Sequence, residues 1–242
     1  MLRTENEALV IAKSEVEELR PSELSTMPDG LLDALSPDDV HDLLAYLAGA
    51  EQVPRLLLPG DEGLLFDGRT LAGWAGDPAL WSVEDGALVG RSGGLGENAF
   101  LRSDALLRDF RLTISVLLAD DAGNSGIQFR SSALEGGAVR GYQADIGPGW
   151  WGRLYEELGR GLLVSEGAEA AVRPGDWNTY TITAVGPRVL LAINGAEAAD
   201  LVDPDGAREG ILALQLHAGG PMEIRFRDLR LELDPELPAE EE

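Results

Sequence analysis

The sequence predicts an all-β fold, an antiparallel β-sandwich led by a short α-helical N-terminal segment. Three observations carry this reading. Apolar residues recur at helical spacing only near the N-terminus, they alternate with polar ones at period two from about Gly63 onward, and Gly, Pro, Asn and Asp punctuate the alternating stretches. A chain of 242 residues, 44% hydrophobic, suffices for one sandwich-sized domain plus a smaller appendage. The expected division is a helical segment over 1–58, the sandwich over 59–233 and an acidic tail over 234–242.

Taken in order, Ser14–Leu19 reads as a short helix stopped by Pro21, and Met27-Pro28-Asp29-Gly30 as a tight connection. The clearest helix begins at Ser36, a good N-cap, with Pro37 at the first helical position and Asp39 completing a capping-box-like pattern. Val40, Leu43, Leu44 and Leu47 form its apolar stripe, and His41 is expected to face solvent. In the sandwich, Leu112, Ile114, Val116 and Leu118 alternate with polar residues, as do Tyr180, Ile182 and Ala184. Gly186-Pro187 makes a turn, and Val189, Leu191 and Ile193 lead into Asn194-Gly195, a strong hairpin dipeptide. The inward phase of the last strand slips between Phe226 and Leu229, which predicts a β-bulge near Asp228. Asp234–Glu242 places two prolines among mutually repelling carboxylates and is expected to be a solvated tail.

Charge and composition exclude several function classes. With 43 acids against 19 bases the formal net charge is −24, so binding to a nucleic-acid backbone is not expected. Cysteine is absent, which removes disulfides, thiolate metal sites and thiol nucleophiles and leaves oxygen and imidazole donors for any metal. No stretch has the roughly 20 apolar residues of a membrane helix, so no membrane insertion is expected. Met1–Val10 has no apolar core like that of an export signal.

Chemistry is expected on one sheet face. Gln128 and Arg130, Gln143 and Asp145, and Gln215 and His217 each stand two residues apart in alternating stretches, so each pair shares a face while its apolar neighbours enter the core. If those strands are neighbours, one surface gathers a cation, a carboxylate, an imidazole and three amides, a set suited to gripping hydroxyls and moving protons. Directly after Asp145, the run Gly147-Pro148-Gly149-Trp150-Trp151-Gly152 puts two indoles on a glycine-rich loop, where large aromatics either cover core or stack on a ligand such as a sugar ring. Tyr155, Glu156 and Glu157 follow at the same rim; Glu156 is taken as a site candidate and Glu157 as a surface residue.

Two resemblances extend this reading. Ser25–Leu32 followed by Leu43-Leu44-Ala45-Tyr46-Leu47 resembles the C-terminal end of the c-type cytochrome domain of planctomycete-type multidomain proteins, which implies a cytochrome region upstream in a longer parent chain. In that family the methionine at the position of Met27 is an axial haem ligand; the attaching cysteines are missing here, so haem is not expected. The second resemblance spans Gly63–Leu233. Leu65-Phe66-Asp67-Gly68, Gly73-Trp74, Gly123-Asn124-Ser125-Gly126-Ile127, Phe129-Arg130, Gly141-Tyr142, Trp177-Asn178, Leu214-Gln215-Leu216-His217 and Phe226-Arg227-Asp228-Leu229, in this order, resemble the 3-keto-disaccharide hydrolase domain family, a concanavalin-A-like jelly roll. The chain departs from that pattern where Gln143 replaces a usual Glu, Asp145 stands where Gln is common, and Leu158 replaces a His common in the planctomycete-type subgroup.

The resemblance implies cleavage of a 3-keto-glycoside or 3-keto-disaccharide, in which a C3 ketone acidifies the C2 proton and the aglycone leaves by elimination. On that reading Asp145 or His217 is the base, Arg130 clamps the enolate, Glu156 is an acid or metal ligand, and Asn124, Gln128, Gln143, Trp150, Trp151, Tyr155 and Gln215 bind the sugar. No particular cofactor is implied; the alternative is that Asp145, Glu156 and His217 hold a divalent cation that polarises the ketone. A noncatalytic carbohydrate-binding module is the alternative, and an interaction domain docking an electron-transfer partner is a third class. Family resemblance implies a periplasmic or extracellular protein.

Overall fold

The computed structural model describes residues 2–3, 8–9, 32–33, 35–48 and 54–237. The chain divides into two units, Met1–Gln52 and Val53–Glu242. In the first unit a two-stranded pairing joins β1 (Leu2–Arg3) to β2 (Ala8–Leu9), and α1 spans Pro37–Ala48. The capping box is formed as the sequence predicts. The Asp39 N–H donates to Ser36 Oγ at 3.1 Å, and Asp39 Oδ2 accepts from the Ser36 N–H at 3.1 Å and from its hydroxyl at 2.6 Å. Val40 and Leu43 are half-buried, whereas Leu44 and His41 are exposed. The expected helix at 14–19 and the Met27 connection lie outside the described residues, and with them the first part of the cytochrome-like motif; its second part, 43–47, falls in α1. No helix among the described residues is long and apolar enough to cross a membrane.

The second unit is the sandwich. Its strands are β3 (Arg55–Leu56), β4 (Trp74–Ala75), β5 (Trp81–Glu84), β6 (Ala87–Ser92), β7 (Ala99–Leu107), β8 (Phe110–Leu118), β9 (Ser125–Ala133), β10 (Val139–Ile146), β11 (Leu154–Glu157), β12 (Gly161–Val164), β13 (Asn178–Val185), β14 (Arg188–Ile193), β15 (Ala196–Val202), β16 (Gly210–Leu216) and β17 (Met222–Leu233). One sheet runs β12-β11-β10-β9-β16-β7-β3, with β4 also on β7; the other runs β15-β14-β13-β8-β17-β6-β5. The sheet thus begins at β3, ahead of residue 59. Pro235 is buried and the Glu236 carbonyl accepts from Arg111 at 2.9 Å, so the first residues after β17 are held against the sandwich.

Period two explains the layering. Along β8 and β13 the apolar residues face inward, and they meet Ile127, Phe129, Tyr142, Ala144 and Ile146 of the opposite sheet. Phe129 stacks on Tyr142 at 5.4 Å and takes an edge contact with Phe110 at 6.3 Å, and burial of each such side chain contributes roughly 1.5–3 kcal/mol. Asn194 and Gly195 both have positive φ, 52° and 84°, as a two-residue hairpin of this twist demands. The predicted bulge in β17 is present: pairing with β8 slips between Arg227 and Arg230, and Asp228 has φ 54°.

Candidate functional site

Register lays out the site. On β10, Gln143 and Asp145 alternate with the core residues Tyr142, Ala144 and Ile146, so both project from the outer face of the first sheet. Gln143 stands opposite Gln128 and Asp145 opposite Gly126 on β9, while Tyr155 of β11 faces Gln143 from the other side. A hydrogen-bond relay crosses this face. Ser131 Oγ donates to Gln128 Oε1 at 3.0 Å, Gln128 Nε2 to Gln143 Oε1 at 2.8 Å, and Gln143 Nε2 to Asp145 Oδ1 at 2.6 Å. Each link fixes the next amide's orientation, so Gln143 presents its NH2 to the carboxylate. Gly126 makes room for this: a Cβ there would lie 2.4 Å from Gln143 Cδ.

Asp145 is only 3% exposed, and its Oδ2 has no hydrogen-bond partner among the described residues. Burial pushes its carboxyl up to about 7; the Glu157 charge adds to the rise, while the Gln143 hydrogen bond and Arg153 oppose it. Asp145 lines a cavity of about 520 Å³, and the structure brings Asn124, Gln143, Trp150, Tyr155 and His217 to the same cavity. His217 lies just beyond β16, where its N–H donates to the Asn124 carbonyl at 3.3 Å. Its Nδ1 stands 2.7 Å from the Ala218 carbonyl, an acceptor that favours a proton on that nitrogen. Trp150 is 38% exposed at the mouth, with the Arg153 guanidinium 5.1 Å from its ring centroid.

Sequence reasoning missed two lining residues, Asn98 and Glu157. Asn98 Nδ2 donates to Glu157 Oε1 at 3.3 Å, and its Oδ1 accepts from the Ala218 N–H at 2.9 Å, so it ties the glutamate to the loop after β16. Glu157 was legible: two residues after Tyr155 on the same strand, it shares that residue's face. Asn98 sits in an aperiodic Gly-rich loop brought to the site by the Leu95–Gly219 pairing and the start of β7 beside Leu216, which no local pattern announces.

Five expected site residues lie elsewhere. Arg130 leaves the polar face because β9 bulges there: Phe129 pairs with Tyr142 and Ser132 with Arg140, and Arg130 takes φ 45°. Its fully buried guanidinium donates to the carbonyls of Arg108 and Gly186, each at 2.8 Å, and pairs with Asp109 at 2.8 Å, so it clamps loops and no enolate. Glu156 has the opposite parity to Tyr155 and faces Arg160, whose Nε donates to it at 2.5 Å. Burial opposes ionisation of Glu156, but the Arg160 hydrogen bonds outweigh it and hold the carboxyl below its ordinary range. Arg160 also pairs with Asp203 at 2.6 Å, and Asp203 accepts a short hydrogen bond from the Tyr142 hydroxyl, so this cluster ties the two sheets together. Trp151 is 2% exposed in the core. Gln128 acts within the relay, and Gln215 is buried on β16, outside the cavity lining.

These placements undo the cation triad: Asp145 and Glu156 belong to opposite faces of the sheet, and among the described residues no three His, Asp or Glu side chains are grouped to hold a metal ion. The set Asp145, Glu156 and His217 therefore does not converge on one cation.

A two-sheet jelly roll carrying a cavity with amides, an outward indole and a buried carboxyl is the architecture of a carbohydrate-active domain. The chain belongs to the 3-keto-alpha-glucoside-1,2-lyase-like domain family, whose model matches residues 61–232. Among solved structures, a protein of Parabacteroides distasonis described as a glycosyl hydrolase is 18% identical over 70% of this chain and 98% of its own, with a TM-score of 0.53. The carbohydrate-binding module CBM66 of Bacillus subtilis is 18% identical over 66% and 95%, with a TM-score of 0.52. A Bacillus subtilis protein with a galectin-like fold is 14% identical over 67% and 90%, with a TM-score of 0.54. At these identities the three show the shared fold. No curated protein matches the chain.

Proposed function

We propose that the domain cleaves 3-keto-glycosides or 3-keto-disaccharides by elimination, with Asp145 as the base. The observation that carries this reading is one carboxyl, buried in the cavity wall, held by Gln143 on Oδ1, unpartnered on Oδ2 among the described residues and poised near neutrality. Family membership supports the reaction class.

In the proposed reaction Asp145 removes the proton at C2, and the electron pair delocalises into the C3 ketone as an enolate. The pair then re-forms as the C1=C2 bond while the C1–O bond breaks, and the departing oxygen takes a proton from the site or from water. The product is an unsaturated 3-keto sugar, and addition of water across C1=C2 completes a net hydrolysis. Asn124, in the cavity wall, takes the place of Arg130 as donor to the developing enolate, and His217 at the rim serves the leaving oxygen. Trp150 and Tyr155 supply aromatic surface for the sugar.

The test is product analysis with a 3-keto-disaccharide and its unoxidised parent. The expected result is cleavage of the ketone alone, with turnover reduced roughly 10²–10⁴-fold in Asp145→Asn while sugar affinity persists. Binding of sugars with no product from any 3-keto-glycoside would reject catalysis in favour of a carbohydrate-binding module, a reading to which the outward Trp150 and the amide-lined wall also lend themselves.

A further inference from the structure

The cavity wall holds two carboxyl groups, Asp145 and Glu157, and no arginine or lysine is among its lining residues. The acids on the opposite face of β11 and beside it are neutralised: Glu156 and Asp203 share Arg160. Glu157 has no such partner among the described residues; it accepts from the neutral Asn98 amide at 3.3 Å through Oε1, which leaves Oε2 uncommitted. The nearest cation acting on Asp145 is Arg153, whose guanidinium lies over the Trp150 ring at 5.1 Å and forms no ion pair with either cavity carboxylate. His217 is the remaining titratable group of the wall apart from Tyr155.

We infer that Glu157 sets the charge selectivity of this cavity, so that it admits neutral sugars, favours sugars bearing a protonated amine, and rejects uronates and phosphorylated sugars. This deepens the reading of the cavity as a sugar site and rests on it. Asp145 alone cannot make the distinction, because the proton it gives up and regains in the cycle changes its charge. Glu157 sits on the same face of β11 as Tyr155, one side chain further along, and so meets a substituent on the ring that Tyr155 covers. A unit charge roughly 6 Å from such a substituent, in partly solvated surroundings, changes affinity by about 10-fold.

The experiment measures binding of methyl glucoside, methyl glucosaminide and methyl glucuronide to the wild type and to Glu157→Gln, by calorimetry at low salt and a pH of about 7, where the amine is protonated, with circular dichroism to confirm the fold of the variant. The glucosaminide is expected to bind about 10-fold tighter than the glucoside and the glucuronide about 10-fold weaker, with both gaps shrinking at least threefold in Glu157→Gln and at roughly half-molar salt. Equal binding of the three, gaps that persist in Glu157→Gln, or no binding of any would overturn the inference. Turnover of a neutral 3-keto-glucoside is followed separately. Its absence with the charge order intact would reject the elimination chemistry and leave the selectivity standing.

Discussion

Replacing Asp145 by Asn should stabilise the fold at alkaline pH while removing turnover. The carboxyl titrates near 7 in the folded chain against an ordinary 3.8, a gap of roughly three units, and each unit corresponds to about 1.4 kcal/mol. The sign follows from proton uptake. Between about pH 4 and 7 the folded chain keeps a proton on Asp145 that the unfolded chain has released, so stability falls as pH rises through that window and levels off above it. Ionised Asp145 therefore costs the wild type about 4 kcal/mol at a pH of about 8, an upper figure because the cavity wall admits water as the chain relaxes. Asn is isosteric, can still accept from Gln143, and carries no charge to desolvate. Urea denaturation of both proteins at several pH values from about 4.5 to about 8.5 measures the difference. Asn should gain on Asp steadily up to about pH 7 and hold its lead beyond. A stability difference that does not change across this range would refute the buried, high-titrating carboxyl, and with it the base.

Changing Gln128 to Glu removes the donor to Gln143 Oε1, so the Gln143 amide turns its oxygen toward Asp145 and stabilises the protonated acid; the acid limb of the kcat/KM profile should move up by about one unit, while Gln128→Met, which leaves Gln143 free, should move it less. Gly126→Ala drives a methyl into Gln143 and should lower turnover at least roughly 10-fold with sandwich content by circular dichroism retained. Trp150→Ala should weaken sugar binding about 10-fold at unchanged melting temperature, and Trp151→Ala should cost roughly 3–5 kcal/mol of stability in denaturant titration. Arg130→Met should leave KM unaltered and destabilise by about 3 kcal/mol, since it strips the buried carbonyls of Arg108 and Gly186 of their donor, while Asp109 is partly exposed and keeps the Gly186 N–H.

Most of the architecture was legible because it follows from local chemistry. Alternation along 112–118 and 180–193, the Asn194-Gly195 turn and the phase slip at Asp228 each declare a strand, a hairpin or a bulge without reference to distant residues. The site was legible where the same periodicity held unbroken, as at Gln143 and Asp145. It misled where the period itself faltered. Arg130 sits in a bulge whose counterpart on the neighbouring strand is Gly141, and a Cβ at Gly141 would lie 2.4 Å from Ser131 Oγ; only strand pairing reveals that the arginine turns away. Glu156 and Glu157 take each other's expected places, because pairing of β11 with β10 puts Tyr155 and Glu157 on the face of Gln143 and Glu156 on that of Tyr142. The two indoles shared one composition signal, and only packing separates the core residue from the rim residue.

That separation has an optical consequence. Trp74, Trp81 and Trp151 are buried and Trp177 lies half-buried beneath Arg227, whereas Trp150 alone among the five tryptophans is exposed, at the cavity mouth. Emission that acrylamide can quench therefore originates mainly from the indole a sugar would cover. A sugar seated there as proposed would be read from the chain's own fluorescence, without any label.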